Sequence, residues 1–218
     1  MQVFTIGHST HPIAHFLTLL RDHDITAVAD VRSSPYSRMN PQFNREDLQR
    51  ELQAAGIAYV FLGKELGARS EDPACYEGGQ VRYERLAKTE LFKQGLQRVM
   101  KGAESHCVAL MCAEKEPLDC HRTLLVSRAL EALGVHVEHI RADGSLEAHG
   151  DTMRRLLALT RIPASDMFRS EEEQMAEACA RQEKKIAYID EDMQEVKASR
   201  NGDDEHEGLH DRVHKKVS

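Results

Sequence analysis

Between Cys112 and Arg122 the chain crowds two cysteines, a histidine, three acids and an arginine: Cys112-Ala-Glu-Lys-Glu-Pro-Leu-Asp-Cys120-His121-Arg122. These residue types suit two chemistries. In the first, a cysteine is a nucleophile. The backbone N–H groups and macrodipole of a helix start favour a thiolate, and Cys120-His121 is placed to open a helix. Cys112 or Cys120 would attack, His121 or His8 would take the thiol proton, and Glu114 would serve as general acid or base. In the second, Cys112, Cys120 and His121 hold a zinc ion, with His8 as a fourth ligand. The donors suit zinc, but the C-x7-C-H spacing lacks the paired C-x2-C knuckles and adjacent Cys-His ligands strain a tetrahedron. We therefore assign no metal ligand and keep zinc as the subordinate reading. The plain alternative is that both cysteines are small core residues and Glu116 is a solvated loop acid.

A second cluster, Asp30-Val-Arg32-Ser33-Ser34-Pro-Tyr36-Ser37-Arg38, sets arginines among hydroxyl groups. Arginine with hydroxyl donors suits a phosphate or carboxylate. Lys64, Arg69 and Arg122 add positive charge, although any single cation is as readily an ion-pair partner of Asp30 or Glu65. The substrate-binding candidates are His8, Ser9, Asp30, Arg32, Ser37, Arg38, Lys64 and Arg122, and the expected ligand is an anionic small molecule or a nucleotide-like group. Gly7-His8-Ser9 is neither a dinucleotide fingerprint nor a P-loop, so no nucleotide cofactor is assigned. His206, His210 and His214 fall four apart, which on a helix would align them for metal, but Gly202, Gly208 and the surrounding charge argue for disorder.

The positions of these residues follow from the elements around them. Val3–Ile6, Ala27–Val31, Ile57–Leu62, Cys107–Met111 and Val135–Ile140 are short apolar runs, each followed by apolar residues at helical spacing. Such βα alternation predicts an α/β fold: a single three-layer domain over residues 1–162, with a mostly parallel sheet of about five strands flanked by helices. The segments that follow the strands, Gly7–Thr10, Arg32–Phe43, Gly63–Gln80, Cys112–Arg122 and Arg141–Gly144, then open on one edge of the sheet, where ligands bind in open α/β folds. A break near Thr89 is expected in the helix of Leu86–Val99. Residues 163–200 read as a charged, solvated helical extension, and residues 201–218 as a disordered tail that a protein partner would order.

Composition narrows the class. With 218 residues, 41% of them hydrophobic, the chain can bury a core of its own. No signal-like N-terminus and no long apolar stretch is present, which predicts a cytoplasmic protein. Five cysteines at irregular spacing fit reduced thiols better than a disulfide framework. Residues 169–218 hold 14 acids against 9 Lys/Arg, and residues 1–168 hold 22 against 20. The body is thus almost neutral and does not promote nucleic acid as a partner.

Four separated blocks, Thr5-Ile-Gly-His-Ser9, Asp30-Val-Arg-Ser-Ser-Pro-Tyr-Ser37, Phe61-Leu-Gly-Lys-Glu-Leu-Gly67 and Leu110-Met-Cys-Ala-Glu114 through Cys120-His-Arg122, resemble the domain of unknown function 488 family in type and order. The resemblance covers about residues 2–160 and implies a compact α/β domain of bacterial and archaeal cytosolic proteins. On its pattern the motif residues here are His8, Ser9, Asp30, Arg32, Pro35, Ser37, Gly63, Leu66, Gly67, Cys112, Glu114, Cys120, His121 and Arg122. It implies no reaction. The leading expectation is an enzyme with a Cys/His/Arg pocket at the carboxyl edge of the sheet. The alternative is a non-catalytic binding or sensing module for a nucleotide, a nucleic-acid end or a metal.

Overall fold

The computed structural model of the chain describes residues 1–163 and 168–193. Strand β1 (Gln2–Gly7) leads into α1 (Ile13–Asp22), β2 (Ala27–Asp30) into α2 (Arg45–Ala54), and β3 (Ala58–Phe61) into the short α3 (Gly63–Leu66). A hairpin of β4 (Tyr76–Glu77) and β5 (Gln80–Val81) and the helices α4 (Tyr83–Leu86) and α5 (Glu90–Gly102) precede β6 (Val108–Cys112). A π-helical turn, Arg122–Ser127, runs into α6 (Arg128–Ala132), followed by β7 (His136–Ile140), β8 (Leu146–Ala148), α7 (His149–Leu159) and α8 (Glu171–Ile186). Thr89 caps α5 by accepting from the Phe92 N–H at 3.2 Å, which is the expected break before that helix.

The sheet has six strands in the order β3-β2-β6-β1-β7-β8, parallel except for β8. The five parallel strands match the apolar runs. Strand β8 is an addition: Gly144, at φ +83°, turns the chain back so that Leu146–Ala148 pairs with β7. Alternation along the strands sorts the core onto two faces. Phe4, Ile6, Val28, Ala109 and Met111 pack with α1 and α2 through Phe16, Leu20, Leu48 and Leu52. Val3, Ala29, Val108, Leu110, Cys112 and Val137 pack with the remaining helices through Leu66, Phe92, Leu96, Leu130 and Leu156. The three-layer arrangement follows.

Strand order creates the crevice. From β1 the chain goes on to β2, two places to one side, and from β6 to β7, two places to the other. The loops that follow β2, β3 and β6, three adjacent strands, leave a cleft among them at the carboxyl edge, the usual ligand position in such sheets.

The extension is helical but not solvated. A capping box between Ser170 and Glu173 starts α8, whose Gln174, Ala178, Cys179 and Gln182 are buried against the body. Gln182 Nε2 donates to the Leu118 carbonyl at 3.0 Å and to Asp119 Oδ1 at 3.1 Å, beside the Cys120 loop. The strand-like stretch beyond α8 is tied to the hairpin, with Val81 N–H donating to the Tyr188 carbonyl at 3.0 Å and Asp190 N–H to the Gly79 carbonyl at 2.8 Å. Burying four residues over four turns is enough to dock a helix whose other faces are charged, which a weak apolar stripe concealed. The tail 201–218, with His206, His210 and His214, lies outside the described residues. Among the described residues no helix is long and apolar enough to cross a membrane.

Candidate active site at the carboxyl edge

Beyond β1 the ladder continues into the loops, His8 N–H donating to the Cys112 carbonyl and Ser9 N–H to the Ala113 carbonyl, both at 2.9 Å. The contact is close enough that a Cβ on Gly7 would stand 1.9 Å from the Glu114 carbonyl oxygen. Arg122 Nη1 donates to that same oxygen at 2.6 Å and Nη2 to the Lys115 carbonyl at 3.4 Å. Arg122 is 0% exposed, so it ties down the loop that carries Glu114. As a substrate-binding candidate Arg122 is thus displaced: Nη1 and Nη2 face backbone carbonyls, Nε is buried with no partner among the described residues, and the side chain lines none of the cavities around Arg32.

Asp30, at the end of β2, clasps Arg32: Nε donates to Oδ1 at 2.9 Å and Nη2 to Oδ2 at 2.6 Å. Arg32 Nη2 also donates to the Phe43 carbonyl at 2.9 Å, and Tyr59 donates its hydroxyl to Asp30 Oδ2 at 2.9 Å. His8 Nδ1 faces the Ser9 carbonyl at 2.8 Å and must carry the proton there, which leaves Nε2 to accept from Arg32 Nη1 at 3.1 Å. Burial, chiefly, lowers the His8 pKa to about 4. With both ring nitrogens committed, His8 holds Arg32 and is not the proton acceptor of a cysteine. Asp30 likewise orients Arg32 and does not face a ligand itself.

The cysteines, His121 and Glu114 converge. His121 Nε2 donates to the Val31 carbonyl at 3.0 Å, so its Nδ1 lone pair points to Cys112 Sγ at 3.7 Å and Cys120 Sγ at 3.9 Å. Cys120 Sγ donates to Glu114 Oε2 at 3.0 Å. Glu114 is exposed as a residue, yet this carboxylate oxygen is turned inward. Burial alone would raise the Glu114 pKa, but the thiols of Cys112 and Cys120 outweigh it and hold the carboxyl below its ordinary range. Burial alone would lower His121; Cys120 and Glu114 outweigh that and raise it. Burial first, then the neighbouring Cys112, pushes the Cys120 thiol well up. That corrects the expected thiolate at Cys120, since a desolvated sulfur gains less from the turn that follows than it loses with water.

Cys112, His121 and Glu114 line a cavity of about 250 Å³ together with Arg32, Ser33, Ser34 and Arg69. Cys120, 1% exposed, stands behind them. Arg69 lies over the ring of Tyr188, 4.4 Å from its centroid, and no carboxylate pairs with it among the described residues. A second cavity of about 260 Å³ adjoins across Arg32 and Ser34 and takes in His8, Ser9 and Ser37. Ser37 Oγ also accepts from the Asn40 N–H at 3.1 Å, which shapes the loop. A third, of about 610 Å³, shares Ser33, Ser34 and Arg69 and reaches Lys64. Arg38 is exposed on the loop after β2 and lines neither of the cavities that Arg32 joins.

Tyr83, Ile186 and Tyr188 complete the wall of the first cavity, and none of them stands out as a candidate in the sequence. Burial raises the Tyr83 phenol, which therefore stays protonated beside the thiols. The one sequence signal for the others is Ile186-Ala-Tyr-Ile189, an apolar island in a charged segment.

The family model described as Domain of unknown function DUF488 matches residues 12–129. The matched stretch takes in the second, third and fourth motif blocks, with Thr5–Ser9 just ahead of it. Neither a curated protein nor a solved structure matches the chain.

Proposed function

The chain belongs to the DUF488 family, and from that premise we propose that it is a cytoplasmic enzyme that binds an anionic, nucleotide-like substrate in the cleft among the loops that follow β2, β3 and β6. One observation carries the reading. One cavity brings together cationic and hydroxyl-bearing residues, Arg69, Arg32, Ser33 and Ser34, and the reactive groups of Cys112, His121 and Glu114. Arg69 offers guanidinium N–H groups that no carboxylate of the described residues takes up, and a substrate phosphate or carboxylate would be their partner. Arg32 is charge-neutralised by Asp30 and serves as a rigid, oriented donor. Glu114, held as a carboxylate, offers an acceptor for a hydroxyl or amine donor of the bound substrate. The adjoining cavity at His8 and Ser37 gives an extended substrate room beyond its anionic group. Five cysteines without a disulfide suit a reducing compartment.

Calorimetric titration with inorganic phosphate and with nucleoside monophosphates tests the pocket. Binding that weakens about tenfold in Arg69→Ala supports it, and anion binding indifferent to Arg69 overturns it. A turnover screen against phosphorylated substrates then separates the two classes of function, with Glu114→Gln as the control. Binding without turnover would make the chain the non-catalytic module.

A further inference from the structure

We propose that Cys112 Sγ, Cys120 Sγ and His121 Nδ1 together bind one zinc ion, whose fourth coordination position opens beside Glu114 into the cavity. The inference deepens the reading above and rests on it only for the use of that fourth position.

The three donor atoms lie within 4.8 Å of one another and are all buried. Their sulfur–nitrogen separations are 3.7 and 3.9 Å. Zinc bonds of about 2.3 Å to sulfur and about 2.0 Å to nitrogen in a tetrahedron put those donors roughly 3.5 Å apart. An ion therefore needs only small side-chain shifts. The C-x7-C-H spacing argued against such a site, and the backbone removes the objection. Cys120 is extended, at φ −135° and ψ 139°, while His121 is helical, at φ −60° and ψ −26°, so two successive side chains turn toward one point.

A thiol nucleophile with a histidine acceptor needs one sulfur. Here a second sulfur faces the same nitrogen, 1% exposed and shielded from the cavity by the first set of residues. Two outer contacts fit ligation. The Val31 carbonyl takes the Nε2 proton and fixes the His121 tautomer, as carbonyls behind ligand histidines commonly do. The Arg122 backbone N–H points at Cys120 Sγ from 3.4 Å, a donor suited to thiolate charge. Binding releases both thiol protons, the one that Cys120 Sγ gives to Glu114 Oε2 included, and the two thiolates neutralise the dication, leaving the Glu114 carboxylate beside the site. Sulfur and imidazole donors select zinc over magnesium or calcium. Three protein ligands with a position left to the substrate side is the pattern of catalytic rather than structural zinc. The cysteines then act as ligands and not as nucleophiles.

The test uses the full chain. Elemental analysis after growth with added zinc is expected to find one zinc per chain. Metal-stripped protein titrated with cobalt(II) is expected to show thiolate-to-cobalt charge-transfer absorption and tetrahedral ligand-field bands. Cys112→Ser with Cys120→Ser should abolish that absorption, and Cys75→Ser with Cys107→Ser should leave it. A cobalt spectrum without thiolate character, or one unchanged in the first double variant, overturns the proposal. If that variant does not fold, thiol alkylation of the unaltered chain in sub-denaturing urea decides: zinc should protect Cys112 and Cys120, and equal labelling with and without zinc overturns the site. A chain that binds phosphate through Arg69 but takes no zinc sinks this inference alone. One that takes zinc but binds no anion sinks the pocket reading alone.

Discussion

The guanidinium of Arg69 lies 4.4 Å from the ring centroid of Tyr188, so a residue just beyond α8 holds a cation of the pocket. Stacking of this kind contributes about 0.5–1 kcal/mol at exposed sites. Tyr188→Ala is expected to weaken phosphate binding roughly two- to fivefold while leaving the melting temperature close to that of the unaltered chain. Tyr188→Phe should keep the affinity. Calorimetric titration of the pair checks it, and equal affinity in Tyr188→Ala would show that Arg69 is placed by its own loop.

The Asp30–Arg32 pair is buried on both sides, at 0% and 5% exposure. Removing one partner of such a pair leaves an uncompensated charge inside the protein and costs about 3–5 kcal/mol. Asp30→Asn should therefore lower the urea midpoint steeply, and Tyr59→Phe, which removes one hydrogen bond to the same carboxylate, should lower it less. A midpoint in Asp30→Asn as high as in Tyr59→Phe would show that Arg32 finds water or another acceptor.

Gly7 admits the Glu114 carbonyl at a distance no side chain tolerates. Overpacking of this kind costs about 1–3 kcal/mol. Gly7→Ala is expected to lose that much stability in urea titration, and to lose anion affinity as well, because the Glu114 loop must move out of the cleft. Loss of stability with binding intact would disconnect Gly7 from the site.

Three buried imidazoles predict an acid-sensitive fold. Burial lowers His8 and His149 each to about 4, and pushes His139 well below its ordinary value with neighbouring His149 adding to the effect. Thr5 Oγ1 meets His139 Nδ1 at 2.7 Å and His139 Nε2 meets His149 Nδ1 at 3.1 Å, a chain that a proton would disrupt. Above pH about 6.5 these groups are neutral whether folded or unfolded and cost nothing. As pH falls from about 6.5 toward about 4, the unfolded chain takes up protons that the folded one refuses, and stability is lost. Urea midpoints measured across that window should fall, and His149→Gln should flatten the fall. A flat profile in the unaltered chain would contradict it. His121, whose pKa is raised, contributes in the opposite sense and is no part of this acid limb.

Much of the fold is legible in the residues. Strand β6 and the loop after it read from a short apolar run and a cluster of polar groups, because local period and turn chemistry are properties of neighbouring residues. Leu146–Ala148 is too short to declare itself a strand, and α8 shows its buried stripe only once there is a surface to receive Ala178 and Cys179. At the site, Cys112, Glu114, Cys120 and His121 are readable as chemistry and do come together, whereas Arg38 and Lys64 belong to the same loops but not to the same cavity.

By itself the sequence determined which residues carry reactive groups and that they follow strands, since both depend on residue type and short-range pattern. Tertiary structure decided what each group faces. Strand order set the loops after β2, β3 and β6 around one cavity, and burial turned Arg122 onto backbone carbonyls and His8 onto Arg32. The chain beyond α8 brought Tyr188 to Arg69. Such outcomes depend on contacts between residues far apart in the chain, and on the free energy of removing charge from water at one particular place. Neither quantity is written in local spacing.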